Sequence, residues 1–185
     1  MKSVSAIEAL KDEHRVIEKA LKILEKAVDE LKKNNNTPQK IFDELIDFIK
    51  FFADKCHHGK EENILFPLLE ARGIPKEGGP IGVMLAEHEE ARGYVKALSE
   101  FIQQYYSGDK TAVNGIVTNA LNYINLLSQH IQKEDNILYP MGESFLNEKD
   151  HEELIEKFEE IEKEKIGFGK HENYIKLIEK LEKEF

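Results

Sequence analysis

Two stretches of this chain set a histidine and a glutamate four residues apart in nearly the same context. Residues 57–67 read His-His-Gly-Lys-Glu-Glu-Asn-Ile-Leu-Phe-Pro, and residues 130–140 read His-Ile-Gln-Lys-Glu-Asp-Asn-Ile-Leu-Tyr-Pro. His, Lys, Glu, Asn, Ile, Leu and Pro coincide in register, and Glu/Asp and Phe/Tyr are close replacements. A Glu-His pair lies upstream of each, Glu13-His14 and Glu87-His88. Such a duplication predicts two helix pairs related by an approximate two-fold axis, and anything bound on that axis should be two-centred.

On a helix, the pairs His57/Glu61 and His130/Glu134 each share one face, with Cβ atoms about 5–6 Å apart. Their neighbours on that face are apolar: Leu45, Ile49, Ala53, Ile64 and Leu65 in the first copy, and Tyr123, Leu126, Leu127, Ile137 and Leu138 in the second. His14 falls between Leu10 and Ile17, and His88 between Met84 and Ala91. Burying two ionised carboxylates among such side chains is prohibitive without compensation, and no Lys or Arg lies at the same level of these stripes. A pair of divalent or trivalent cations would compensate, and imidazole nitrogen with carboxylate oxygen suits iron, manganese or zinc. The predicted ligands are His14, His57, Glu61, His88, His130 and Glu134. Each metal would take two histidines, both glutamates would bridge, and exogenous oxygen ligands and an open position would complete the coordination.

Other residues invite comparison with this set. His58 and Glu62 have the same four-residue spacing but align with Asp54 on a polar face, which favours the register through His57 and Glu61. Glu13 and Glu87 are placed either to hydrogen-bond ligands or on a solvated face. Tyr139 could lie near the metals, although Phe66 in the other copy shows that the repeat does not demand a hydroxyl. Cys56 should pack, and His151 and His171 should be exposed.

The elements that must position these groups are helical. Ile7, Leu10, Ile17, Leu21, Leu24, Val28 and Leu31 recur at three- and four-residue spacing. Ser3 or Ser5 could cap this first helix, and Asn34-Asn35-Asn36 ends it. Thr37-Pro38 reads as an N-cap followed by proline at the first helical position of a second helix running to about Arg72. Gly73 to Pro80 is a loop. A third helix should run from about Ile81 to Ser107 and a fourth from about Lys110 to Phe145. A fifth, capped by Asn147, should break at Gly167-Phe168-Gly169 before a short sixth. No segment alternates with period two. The expectation is an all-α protein: an up-down-up-down four-helix bundle over residues 1–146, with a helical extension over 147–185 packed on the same domain.

Composition bounds the function. The 185 residues are 41% hydrophobic and 34% charged, enough for one core and its cover. With a formal net charge of −10 and Lys and Glu intermingled, no basic surface suits nucleic acid, and an anionic membrane would repel the chain. One cysteine, no apolar leader before Lys11 and no apolar run of spanning length predict a cytoplasmic protein.

His14, His57-x-x-x-Glu61, His88 and His130-x-x-x-Glu134, with the Leu-Phe-Pro and Leu-Tyr-Pro that follow, resemble the hemerythrin-like, HHE cation-binding family over roughly residues 5–145. That resemblance implies a four-helix bundle holding a non-haem, carboxylate-bridged di-iron centre, oxo- or hydroxo-bridged, that meets dioxygen, nitric oxide or peroxide. The chain departs from oxygen-carrying hemerythrins, which have five histidines, two of them on the third helix. Its six predicted ligands are more similar to the bacterial branch that repairs nitric-oxide-damaged iron centres. Binding of O2 or NO, a di-iron redox enzyme and an iron donor all follow from this likeness.

Overall fold

The computed structural model describes residues 5–34 and 36–185. Among the described residues the chain forms six helices and no strand. Helix α1 spans Ala6–Asn34. Helix α2 covers residues 39–71, α3 spans Pro80–Tyr106, and α4 covers residues 113–143 after a 3-10 turn at Lys110–Ala112. Helices α5 (Glu148–Lys165) and α6 (Lys170–Glu184) complete it. Helix α1 packs on α2 and α4, and α3 packs on α2 and α4.

Local chemistry sets the boundaries. Ser5 Oγ accepts the Glu8 N–H at the start of α1, whereas Ser3 and Asn35 lie outside the described residues. Asn147 and Asp150 form a reciprocal capping box at α5. Gly169 has φ of 72°, a conformation that glycine adopts without strain, and it separates α5 from α6. Thr37 does not cap α2. Its hydroxyl donates 2.8 Å to the Ala27 carbonyl, and extended Pro38 takes the cap position before Gln39.

Two helices are not α-helical throughout. Residues Ile49–His58, Glu61–Leu65 and Glu134–Leu138 wind as π-helix. Pro67 and Pro140 supply a physical reason for the last two, because neither has an N–H to offer the carbonyl four residues back. The ladder shifts instead: Phe66 N–H donates to Glu61 O, and Tyr139 N–H to Glu134 O. The Asn that follows each glutamate serves the same turn, Asn63 Nδ2 donating to Gly59 O at 3.0 Å and Asn136 Nδ2 to Gln132 O at 2.8 Å.

The apolar interior forms two clusters. The larger holds Ile17, Leu24, Leu45, Phe52, Leu98 and Leu127, and the smaller holds Leu10, Leu65, Phe66, Met84 and Leu138. Every predicted ligand falls at the level between them. Helix α6 contributes Ile178 and Leu181 to the larger cluster, and α5 contributes Leu154 and Phe158 to the smaller. Ile137, expected inside, is 55% exposed, because the π turn at Glu134 carries it off the buried stripe.

Helices α3 and α4 meet closely at Gly115, where an added Cβ would lie 2.4 Å from the Phe101 ring. Gly115→Ala is therefore expected to destabilise the fold by about 1–3 kcal/mol despite its better helix propensity, measured as a lower urea midpoint.

Candidate metal centre

Seven side chains converge between the two apolar clusters, all at most 3% exposed: His14, His57, His58, Glu61, His88, His130 and Glu134. They divide into two overlapping groups. One is His14, His57, Glu61 and Glu134, and the other is His58, Glu61, His88 and His130, with potential ligand atoms within 4.8 Å of one another in each group. The six residues predicted from the repeat are all present, and His58 joins them.

The polar-face placement of His58 is thereby corrected. An α-helical step would have swung His58 well away from the face of His57. Within the π segment each residue advances by a smaller angle, so both imidazoles stay inward. His58 stacks on His88, with ring centroids 3.8 Å apart and planes 15° from parallel. Glu62, its partner in spacing, instead faces Arg92 and the back of His88.

The two carboxylates lie between histidines of opposite halves. Glu134 Oε2 is 3.2 Å from His14 Nε2, and Glu134 Oε1 is 3.2 Å from His130 Nε2. Glu61 Oε2 is 3.4 Å from His88 Nε2 and 3.8 Å from His57 Nε2. His57 Nε2, Glu61 Oε2 and both Glu134 oxygens are buried without a hydrogen-bond partner. An unsatisfied buried polar atom costs about 1–3 kcal/mol. Four of them, all of metal-ligating type and aimed at one place, fit a donor set for cations.

Behind this ring the other imidazole nitrogens are held in a regular pattern. His14 Nδ1 meets Asp135 at 2.7 Å, His57 Nδ1 meets Glu13 at 2.8 Å, and His58 Nδ1 meets Asp54 at 3.3 Å. His88 Nδ1 meets Glu62 at 2.7 Å, and His130 Nδ1 meets Glu87 at 2.9 Å. Each carboxylate is itself paired with a cation: Asp135 with Arg15, Glu13 with Lys60, Asp54 and Glu62 with Arg92, and Glu87 with Lys133. A carboxylate on Nδ1 fixes the ring and leaves Nε2 with its lone pair toward the centre. Glu13 and Glu87 therefore hold the His57 and His130 rings rather than line a solvated face.

This outer shell obeys the two-fold axis of the repeat, Glu13/His57/Lys60 corresponding to Glu87/His130/Lys133. The centre departs from it twice. Ile131 stands where the first copy has His58, and Phe66 where the second has Tyr139. Tyr139 Oη donates to Glu61 Oε1 at 2.5 Å, and its ring lies parallel to His14 at 5.4 Å. Phe66 stacks on His88 without a hydroxyl to offer. One group thus has two histidines and a phenol nearby, and the other has three histidines.

Two further expectations are corrected. His151 is buried, its Nδ1 accepting the Ala6 N–H at 3.3 Å. His171 is half-buried, with Nε2 2.9 Å from Glu13 Oε1. The amphipathic α5 and α6 cover α1, and that cover encloses both rings. Cys56 is fully buried, in keeping with packing.

Electrostatics follow the same geometry. Burial opposes charge on His14 and His130, but Asp135 and Glu134 raise His14 to about 9, and Glu134 and Glu87 raise His130 to about 10. Burial and the neighbouring His88 ring hold His58 well below the usual histidine range, so it stays neutral. For the protein stripped of metal, groups raised above their unfolded value near 6.5 contribute stability that is complete below pH 6.5. That contribution is lost as pH climbs through the folded values. The melting temperature of the metal-free protein is expected to fall between pH 6.5 and about 10; a flat profile would refute this coupling.

A helical protein with clustered histidines and carboxylates at its core has a donor set that could hold metal, and comparison with known sequences agrees. Residues 5–142 match the hemerythrin HHE cation binding domain, and the chain belongs to that family. It is 33% identical over 86 residues to the iron-sulfur cluster repair protein YtfE of Dickeya chrysanthemi, covering 45% of this chain and 39% of that protein. YtfE of Salmonella newport is 34% identical over 87 residues, with the same shares. An uncharacterised protein of Mycobacterium tuberculosis is 23% identical over 180 residues, 97% of this chain and 70% of that protein. The chain thus spans well under half the length of the repair proteins it matches. No described helix is long and apolar enough to cross a membrane.

Proposed function

We propose that this chain is a non-haem di-iron protein that binds O2, NO or a related small molecule between two unlike metal positions. The observation that carries it is the set of four buried, unpartnered ligand atoms on His57, Glu61 and Glu134. One iron would be held by His14 and His57, and the other by His58, His88 and His130, with Glu61 and Glu134 shared. Iron bound there supplies reversible coordination of small oxygen- and nitrogen-containing molecules and ready one-electron chemistry. The protein's part is to fix the imidazoles through their Nδ1 carboxylates, to neutralise those carboxylates with Lys60, Lys133, Arg15 and Arg92, and to exclude bulk water with the two apolar clusters. The Tyr139 hydroxyl holds Glu61 in place and is the nearest proton donor at the two-histidine end.

Residues 1–146 would form the up-down-up-down bundle that holds the centre, with 147–185 as an extension of the same domain. Neither nucleic acid nor membrane figures as a partner. Zinc or manganese would suit the same donors. The similarity to iron-sulfur cluster repair proteins favours one second reading, donation of iron to damaged centres.

The test is metal analysis of anaerobically purified protein, followed by optical titration with O2, NO and peroxide. About two irons per chain and an oxygenated band reversed by deoxygenation are expected. Sustained consumption of peroxide or NO would instead define an enzyme, and loss of iron to an apo-acceptor without turnover would define a donor. Carefully handled protein without transition metal would overturn the proposal.

A further inference from the structure

A cavity of about 360 Å³ opens between α2 and α3 and runs inward to the centre. Its exposed rim carries Lys50, Lys96 and Glu100. Its walls are Ile49, Ala91, Val95 and the ring of Tyr123, all buried, and His58 and His88 close the inner end. This volume falls in the range of sites for small organic molecules, about 300–1,000 Å³, and far exceeds what a diatomic gas fills.

Three features define the occupant. The apolar walls call for an apolar body. Arg92, the cation on the inner wall, is already committed to Asp54, Glu62 and Glu89, and Lys50 and Lys96 stand at the exposed rim, so an anionic group at the buried inner end would meet no free cation. The hydroxyl of Tyr123, a residue 2% exposed, has no hydrogen-bond partner among the described residues. Burial, with Asp54 nearby, pushes this phenol well above its usual range, so it stays protonated and can donate to a molecule in the cavity.

We propose that this cavity binds a neutral organic molecule with an apolar body and a terminal hydroxyl or hydroperoxyl oxygen, which accepts from Tyr123 beside the His58–His88 wall. That the oxygen end meets a metal rests on the function proposed above; occupancy of the cavity does not.

The probe is 2-phenylpropan-2-ol, titrated by NMR into metal-free and zinc-loaded protein, with isopropylbenzene and benzoate as companions. Saturable shifts and intermolecular contacts at the methyl groups of Ile49, Ala91 and Val95 are expected in both forms. Val95→Phe, which fills the cavity, should weaken binding at least about tenfold. Tyr123→Phe should weaken the alcohol by about three- to tenfold, one hydrogen bond's worth, and leave isopropylbenzene unchanged. Benzoate should not displace the alcohol. Cumene hydroperoxide added to the zinc-loaded form should shift the same methyls, and its failure to do so would restrict the class to alcohols and overturn the hydroperoxyl half. Absence of wild-type contacts at these methyls, stronger binding of benzoate, or indifference of the alcohol to Tyr123→Phe would overturn the whole. The wild-type contacts decide the matter even if Val95→Phe fails to fold. Failure of anaerobically purified protein to hold transition metal would sink the di-iron reading and leave this one standing, and absence of the methyl contacts in protein that does hold two irons would do the reverse.

Discussion

Replacing Glu134 with alanine is expected to reduce bound metal from about two ions per chain to fewer than one, and Glu134→Gln should do nearly the same. The carboxylate reaches His14 with one oxygen and His130 with the other, so its loss removes a ligand from the first group and the carboxylate that faces His130 of the second. Glutamine keeps the volume and one oxygen but not the charge. Parallel loss in the two variants would identify neutralisation of buried charge, rather than shape, as what the site requires. Glu61→Ala should resemble Glu134→Ala, because Glu61 belongs to both groups of potential ligands. Replacing Glu87 with glutamine should be milder, about 10–100-fold in affinity, since it acts through His130 Nδ1 alone. Metal analysis after dialysis against a weak chelator separates these cases. Full retention of two ions by Glu134→Ala would count against a shared carboxylate.

The same glutamates show how far the chain could be read before its structure. Helix periodicity and the duplicated His-x-x-x-Glu brought six residues to one level of the interior because α-helical spacing is a good guide where the helix is regular. It is less good at the repeat itself. Pro67 and Pro140 lie inside helical runs, and a missing N–H six residues after each glutamate was the available sign that the hydrogen-bond ladder shifts there. With the ladder shifted, Ile137 turns outward. The longer π segment Ile49–His58 has no proline to mark it, and it turns His58 inward. The Nδ1 partners Glu62 and Asp135 come from other helices than their histidines, and charge pattern along a single helix cannot reveal such pairs, whereas Asp54 lies four residues before His58 on the same helix. Burial of His151 and the contact of His171 with Glu13 depend on where α5 and α6 dock, which their own amphipathic pattern does not specify.

Replacing His58 with alanine discriminates between the two registers. The α-helical reading of the sequence has this residue on a polar face, and on that reading its removal leaves metal content unchanged. The structure buries it against His88, with Nδ1 on Asp54 and a neutral ring. Removal should therefore cost about one of two ions, the one shared with His88 and His130, while His14 and His57 retain theirs. His57→Ala should show the opposite preference. Because His58 also walls the cavity between α2 and α3, His58→Ala enlarges that space toward the centre, and Asp54 loses its imidazole while keeping Arg92. The fold should survive, since Arg92 still neutralises Asp54 and the two apolar clusters are untouched; unchanged helical circular dichroism would verify this. Unequal loss between His57→Ala and His58→Ala is the informative outcome. It would show that π winding converts one side of a symmetric repeat into a three-histidine position, leaving two metal positions that differ in ligands and in access to solvent.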